Sequence, residues 1–331
     1  MRDVLPELMA WWEAGETVGV ATVVALVWGG AAMVPPLQDL TGRPVVRLVQ
    51  PNAPQHQKWD RAFVPIFFER QVEFTTAPSH DGLGRPDLVV WPETAVPMLL
   101  DNADEALGII TDAAFPARVV LGIQREEDRA WYNSLVLAGQ GPDVMQVYDK
   151  HHLVPFGEYV PLRPIATRIS PRVAEIERDM VSGAAPSPLL VDDLALAIAL
   201  CFDVAYDDVL REQVAQGADL AVVQTSNAMF LGTAQQEQQW TITRARAIEL
   251  GRSVVVSSMN GISGAIASDG SVIDRLPTAR AGATAVSLPV ERGTTLAVRL
   301  GARPARIAYA LGVAGVLAAC WRARRERASG A

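Results

Sequence analysis

Cysteine is nearly absent: the 331-residue chain has two, Cys201 and Cys320. That excludes a disulfide framework and a thiolate metal cluster. Histidine is scarce too, with four residues. His56 and His80 stand alone, and the adjacent His151 and His152 are expected to point to opposite faces of a strand. No third ligand sits at usable spacing, so no zinc site is expected. An excess of positive charge is also missing, since 29 Lys+Arg against 37 Asp+Glu leave a net charge of −8. A surface that reads phosphates needs the opposite sign, which argues against a nucleic-acid partner. Aromatic residues reach only 6%. No internal repeat or low-complexity tract occurs.

What the chain does have is apolar. Half of it is hydrophobic, with a mean hydropathy of +0.16. A disordered chain is thereby excluded. Two uncharged runs lie near the ends. Val18 to Val34 spans 17 residues before Pro35-Pro36 stops any helix. At 1.5 Å per residue it covers about 26 Å, the lower limit for crossing a bilayer. Ile307 to Trp321 adds 15 residues between Arg306 and Arg322, whose side chains can snorkel to the interface. After Trp321, Arg322, Arg324, Arg325 and Arg327 face one acid, Glu326. Such a basic cluster places the C-terminus in the cytoplasm. The expected organisation is an N-terminal segment (1–42) with one transmembrane helix, a central domain (43–303), and a C-terminal transmembrane helix with a basic tail (304–331). Two spans put the domain on the extracytoplasmic face of a multi-pass plasma-membrane protein.

Short apolar runs recur between the spans: Val45–Val49, Leu88–Trp91, Val119–Ile123, Ser134–Leu137, Leu194–Leu200, Leu220–Val223 and Val254–Val256. Their near-continuous apolar character fits strands buried on both faces. Helical spacing alternates with them over Trp59–Phe74, Ala103–Ala114, Tyr206–Gln216 and Gln235–Leu250, which predicts an α/β domain. Arg163–Pro188, with four prolines and no period, reads as a long loop and a candidate lid.

Three strands run into residues able to do chemistry: Leu88–Trp91 into Glu93, Ala195–Leu200 into Cys201, and Leu220–Gln224 into Thr225-Ser226-Asn227. Lys150 follows the strand-like Val144–Tyr148. Ligands of α/β sheets sit beyond the carboxyl ends of strands, so these sets are candidates to converge. A nucleophilic thiol needs a base and a positive group, roles open to Glu93 and Lys150. Taken singly, Cys201 reads first as a small buried hydrophobe, Glu93 as a salt-bridged acid and Lys150 as a solvated charge.

The segments Trp91-Pro92-Glu93-Thr94-Ala95, Tyr148 to Leu162 (YDKHHLVPFGEYVPL) and Cys201-Phe202-Asp203 resemble the nitrilase superfamily. The KHHLVPFGEYVPL stretch looks more narrowly like its apolipoprotein N-acyltransferase branch. Gln50-Pro51-Asn52, Lys58-Trp59, Thr225-Ser226-Asn227, Arg244 to Glu249 and Asn260-Gly261 add to the likeness, which covers roughly residues 45 to 275. The resemblance implies a nitrilase-like αββα four-layer sandwich flanked by N- and C-terminal transmembrane helices. It implies that Cys201 carries an acyl chain from a phospholipid as a thioester. The acceptor is then the α-amino group of the diacylglyceryl-cysteine at a lipoprotein N-terminus. By similarity Glu93 is the general base, Lys150 stabilises oxyanion and thiolate, Glu158 is a supporting acid, and Phe202, Asp203 and Asn227 support the site. No metal or cofactor is implied. Two features depart from the family: Phe202-Asp203 replaces its usual Tyr-Glu, and one apolar run stands where the family has a multi-helix membrane domain. The same three residues also suit an amidase with water as acceptor, and the departures suit a catalytically inactive partner subunit.

Overall fold

The structure, a computed structural model, describes residues 38–39, 42–78, 83–139, 141, 143–169 and 178–329. The strands are β1 (Gln38–Asp39), β2 (Val45–Gln50), β3 (Leu88–Val90), β4 (Val96–Leu99), β5 (Arg118–Glu127), β6 (Ala130–Ala138), β7 (Val144–Asp149) and β8 (Leu189–Val191). They continue with β9 (Leu194–Leu200), β10 (Leu220–Thr225), β11 (Val254–Ser258), β12 (Gly264–Ile266), β13 (Val272–Arg275), β14 (Gly282–Ser287) and β15 (Glu291–Arg292). The helices are α1 (Val64–Thr76), α2 (Asp104–Ala114), α3 (Arg163–Ile169), α4 (Asp208–Ala215), α5 (Gln235–Leu250), α6 (Leu296–Leu300) and α7 (Arg303–Ser329).

Two sheets form the body. One orders its strands β14-β2-β3-β5-β6-β7, with β4 alongside β5; the other runs β13-β12-β11-β10-β9-β8. Their centres are parallel: β2 with β3, β3 with β5, β9 with β10 and β10 with β11. Alternation along the strands sets the layers. Val46, Leu48, Leu88, Val90, Val120, Leu135 and Leu137 join one core with β9, β10 and β11. Their neighbours Val49, Val89, Trp91, Val119, Leu121 and Val136 join a second core with Phe67 of α1 and Leu107 and Ile110 of α2. Helix α5 turns Trp240, Ala247 and Leu250 inward against the other sheet and stops at Gly251 (φ 60°), whose left-handed conformation suits glycine. The result is a helix–sheet–sheet–helix order.

The predicted strands all appear, several of them extended. β5 and β6 make a long hairpin where two short strands were expected, because Asp128 (φ 50°) and Arg129 (φ 67°) supply a two-residue turn of matching twist. β12, β13 and β14 escaped the sequence reading; β12 has three residues and β13 is largely exposed, so neither carries an apolar run. Helix α1 starts at Val64 rather than Trp59, because residues 55–63 form turns closed on Pro54 and Asp60. The stretch expected as a loop from Arg163 opens with α3.

Among the described residues, one helix is long and apolar enough to cross a membrane: Arg303–Arg322 of α7, with none of it buried against the rest of the chain. The other expected span, Val18 to Val34, lies outside the described residues.

Candidate active site

Each candidate side chain leaves a strand end. β3 runs into Trp91-Pro92-Glu93, and the chain turns sharply at Thr94 (φ 48°). The turn lies on β5 at Gly122, whose amide donates to Pro92 O (3.1 Å) and whose carbonyl accepts from Ala95 N (2.8 Å). Cys201 follows β9 and opens a short 3-10 turn, Cys201–Ala205, with φ 50°. A non-glycine residue in this left-handed region is strained and needs its surroundings to hold it. Lys150 follows β7, and its amide donates to Asn133 O of β6 (2.9 Å).

The structure brings Glu93, Lys150, Glu158 and Cys201 to one place. Lys150 is 1% exposed and Glu93 4%. Lys150 Nζ donates to Glu158 Oε1 (2.9 Å) and to Glu93 Oε1 (3.3 Å). Asn133 Nδ2 donates to the same two oxygens, at 2.7 Å to Glu158 and 2.8 Å to Glu93. Ser226 N donates to Glu93 Oε2 (2.7 Å), and Val154 N to Glu158 Oε2 (2.8 Å). Asn133 was not among the sequence candidates. Its signal was present in β6, where Asn133-Ser134 interrupts an otherwise apolar strand at buried positions.

Charges decide the protonation states. Burial raises the Glu93 carboxyl, but Lys150 and Lys58 outweigh it, helped by Asn133 and Ser226 N–H, and the net result lies below its ordinary value. Burial opposes charge on Lys150, yet Glu93, Cys201 and Glu158 raise its ammonium above the ordinary value. The Cys201 thiol is pushed up to about 11, first by burial and then by Glu93, with Lys150 and a Thr225 hydrogen bond opposing. At rest the sulfur is therefore a thiol beside an ionised carboxylate and an ammonium.

The remaining candidates sit around this cluster in different ways. Asp203, fully buried, accepts from Tyr148 OH (2.9 Å), His152 N (2.7 Å) and Leu200 N (3.1 Å), so it fastens the Cys201 turn to the segment after β7. Burial raises its carboxyl. The Phe202 ring stands edge-on to Tyr206, 5.3 Å away, and lines a cavity of about 230 Å³ that also touches Cys201. Asn227 (φ 52°) reaches the nucleophile through Gln239, to whose Oε1 it donates. Gln239 Nε2 in turn donates to Cys201 O (3.0 Å) and faces Sγ at 3.8 Å. Thr225 Oγ1 donates to Sγ at 3.5 Å. Gln239 was missed because one glutamine among several in α5 carries no distinguishing pattern.

His151 and His152 differ from expectation. They lie in a bend after β7, not in a strand, so their rings meet edge to face at 4.8 Å instead of pointing apart. With Asp208 they bring three ligand-type atoms within 4.8 Å of one another, although His152 Nε2 already pairs with Asp208 at 2.9 Å.

The chain belongs to the carbon-nitrogen hydrolase family, whose model matches residues 84–296. The apolipoprotein N-acyltransferase of Brucella suis is 31% identical over 289 residues, covering 83% of this chain and 54% of that protein. The enzyme of the same name from Shewanella oneidensis is 29% identical over 288 residues, covering 80% and 53%. The chain thus spans about half the length of the curated relatives it matches. Among solved structures, an amidase of the nitrilase superfamily from Nesterenkonia AN1 superposes with a TM-score of 0.54 at 19% identity, covering 78% of this chain and 93% of that one. Glutamine-dependent NAD+ synthetase from Acinetobacter baumannii gives 0.57 at 14% identity, covering 76% and 47%. These two likenesses establish the nitrilase-like α/β fold.

Proposed function

We propose that this chain carries the catalytic domain of a membrane-anchored N-acyltransferase. Cys201 takes an acyl chain from a phospholipid as a thioester. It then passes the chain to the α-amino group of an S-diacylglyceryl-cysteine at a lipoprotein N-terminus. One observation carries the reading: the buried Glu93–Lys150–Glu158 cluster stands beside a thiol that opens on a cavity of about 230 Å³ walled mainly by Val154, Phe202, Val204, Ala205, Phe230 and Ile242, with Asn227, Gln235, Gln238 and Gln239 also lining it. That wall suits a hydrocarbon chain. The names of the relatives from Brucella suis and Shewanella oneidensis point to the same substrate class.

In the first step Glu93 removes the Cys201 proton as sulfur attacks the donor ester carbonyl. The S–C bond forms, the ester C–O bond breaks, and Glu93 returns the proton to the departing alcohol oxygen. Lys150, positioned between the two carboxylates, faces the negative oxygen that develops on attack. In the second step the acceptor amine forms the N–C bond, the S–C bond breaks, and Glu93 carries the amine proton back to sulfur. Because the thiol is held near 11, deprotonation accompanies attack instead of preceding it. Both substrates keep their acyl chains in a bilayer, which suits an enzyme anchored by α7. The arginines after Trp321 support a cytoplasmic C-terminal end and, with it, a catalytic domain on the extracytoplasmic face.

Incubation of the purified chain with phospholipid vesicles, followed by intact-mass spectrometry, tests the proposal. A mass increase of one acyl group, released by hydroxylamine and absent in Cys201→Ala, is expected. An unmodified Cys201 with ammonia release from simple amides would replace the transferase by an amidase. Neither adduct nor amidase activity would leave an inactive partner subunit.

A further inference from the structure

Lys58 is a second buried ammonium in this centre, and the mechanism above does not use it. It lies in the turn after Pro54 and is 6% exposed. Lys150 makes ion pairs with two carboxylates; none is made by Lys58 among the described residues. Instead, Nζ donates to two hydroxyls, Thr94 Oγ1 and Ser226 Oγ (3.0 Å). A buried charge without an ion partner is expensive, so a tether alone does not explain why an ammonium occupies this position.

Both hydroxyls belong to residues that set the pose of Glu93. Thr94 is its chain neighbour in the left-handed turn. Ser226 donates its amide to Glu93 Oε2, while Asn133 and Lys150 hold Oε1. One ammonium therefore grips the two segments that fix the Oε2 side of the carboxylate. Its charge also acts on Glu93 and Cys201 directly, and burial pulls it down to about 8 against the opposing pull of those two groups. Lys58 and Lys150 are thus the two buried ammonium groups of a centre that also holds the Glu93 and Glu158 carboxyls.

We propose that Lys58 is a positioning residue for the Cys201 reaction, keeping Glu93 ionised and oriented by tying Thr94 to Ser226 with a buried positive charge. The inference rests on the reading of Glu93 as the base for Cys201, and its test separates the two.

The test is the pH dependence of Cys201 alkylation by iodoacetamide, followed on the Cys201 peptide by mass spectrometry because Cys320 also reacts. An opposite charge nearby lowers a carboxylate by one to three pH units. Lys58→Met is therefore expected to move the acid limb of the profile up by about one pH unit and to slow the reaction about tenfold on that limb. Lys58→Arg keeps the charge and is expected to keep the limb in place. A neutral tether predicts the reverse pattern: an unmoved limb in Lys58→Met, whatever the absolute rate. That result, in a variant whose alkylation still depends on Glu93, overturns the inference. Alkylation in wild type that is indifferent to Glu93→Gln overturns the reading of the base itself. If Lys58→Met does not fold, Thr94→Val with Ser226→Ala removes both acceptors and leaves the ammonium. Slower Cys201 alkylation is then expected, and a wild-type rate in the folded double variant refutes the proposal.

Discussion

Gly122 offers the sharpest test of how the Glu93 turn is built. It lies in β5 beneath that turn, and a Cβ added there stands 2.6 Å from Glu93 Cα and from Pro92 O, and also against Thr94 N. Carbon atoms pack at about 3.5–4.0 Å, so Gly122→Ala demands a displacement of about 1 Å. The obstructing atoms are backbone, and no rotamer change can relieve them. Overpacking of this kind costs about 1–3 kcal/mol. For a domain this size each kcal/mol lowers the melting temperature by about 2–4 °C. The catalytic cost is larger, since a misplacement of about 1 Å lowers rates about a hundredfold, or ~2.7 kcal/mol in the barrier. Single-turnover acylation of Cys201 by phospholipid vesicles, read by intact mass, measures the rate; circular dichroism on the same sample measures folding. Gly108 in α2 is the control, because nothing lies within 4 Å of its added Cβ and alanine is favoured in helices by about 1 kcal/mol. Gly108→Ala should keep the rate and raise the stability slightly. A folded Gly122→Ala variant acylating within twofold of wild type would refute the claim that Glu93 is held by that close approach.

Asn133→Leu removes an amide that donates to both Glu93 and Glu158. Hydrogen bonds to charged groups contribute about 1.5–3 kcal/mol, equivalent to about 1–2 pH units on a carboxylate. The acid limb of Cys201 acylation should therefore move upward by that amount, as a pH–rate profile will show. Glu93→Gln leaves a thiol whose wild-type value is about 11 without its proposed base. Its residual alkylation by iodoacetamide should climb about tenfold per pH unit through pH 9 and level off below 11, because the raising influence of Glu93 is gone. The same variant reports on stability. Glu93 is held below its ordinary 4.5, so its stabilising contribution is complete above that value and lost as pH falls through the lower folded value. Calorimetry should accordingly show a shallower fall in melting temperature below pH 4.5 for Glu93→Gln than for wild type. Asp203→Asn turns one of two acceptor oxygens into a donor, although Oδ2 accepts from Tyr148 OH and Leu200 N and Oδ1 accepts from His152 N. A loss of about 1–3 kcal/mol follows, measurable by thermal unfolding, together with slower Cys201 acylation as its turn loosens.

The strands were legible because β9 and the first residues of β10 and β11 (Leu220–Val223 and Val254–Val256) are purely aliphatic runs, almost all of them buried. Glu93 and Cys201 were legible as candidates for a related reason: each is the first chemically active residue after such a run, whereas Lys150 follows the mixed, half-exposed strand β7 and was legible only by its place at a strand end. What surrounds them is set by register between segments far apart in the chain, which local pattern does not encode. Asn133 reaches Glu93 across 40 residues of sequence, and Ser226 reaches it across 133. Gly122 is small because a turn 28 residues earlier lies on it, and Lys58 is buried because two hydroxyls from separate loops close over it. The histidine pair shows the same limit from the other direction, since strand alternation was the wrong geometry once β7 ended at Asp149. The distinction has a chemical consequence. Residue types at strand ends specify that a thiol, a base and a cation are available. The distant partners push the thiol up to about 11 while holding Glu93 below its ordinary value, and in the proposed reaction that separation of charge states makes proton transfer part of the attack on the acyl carbonyl.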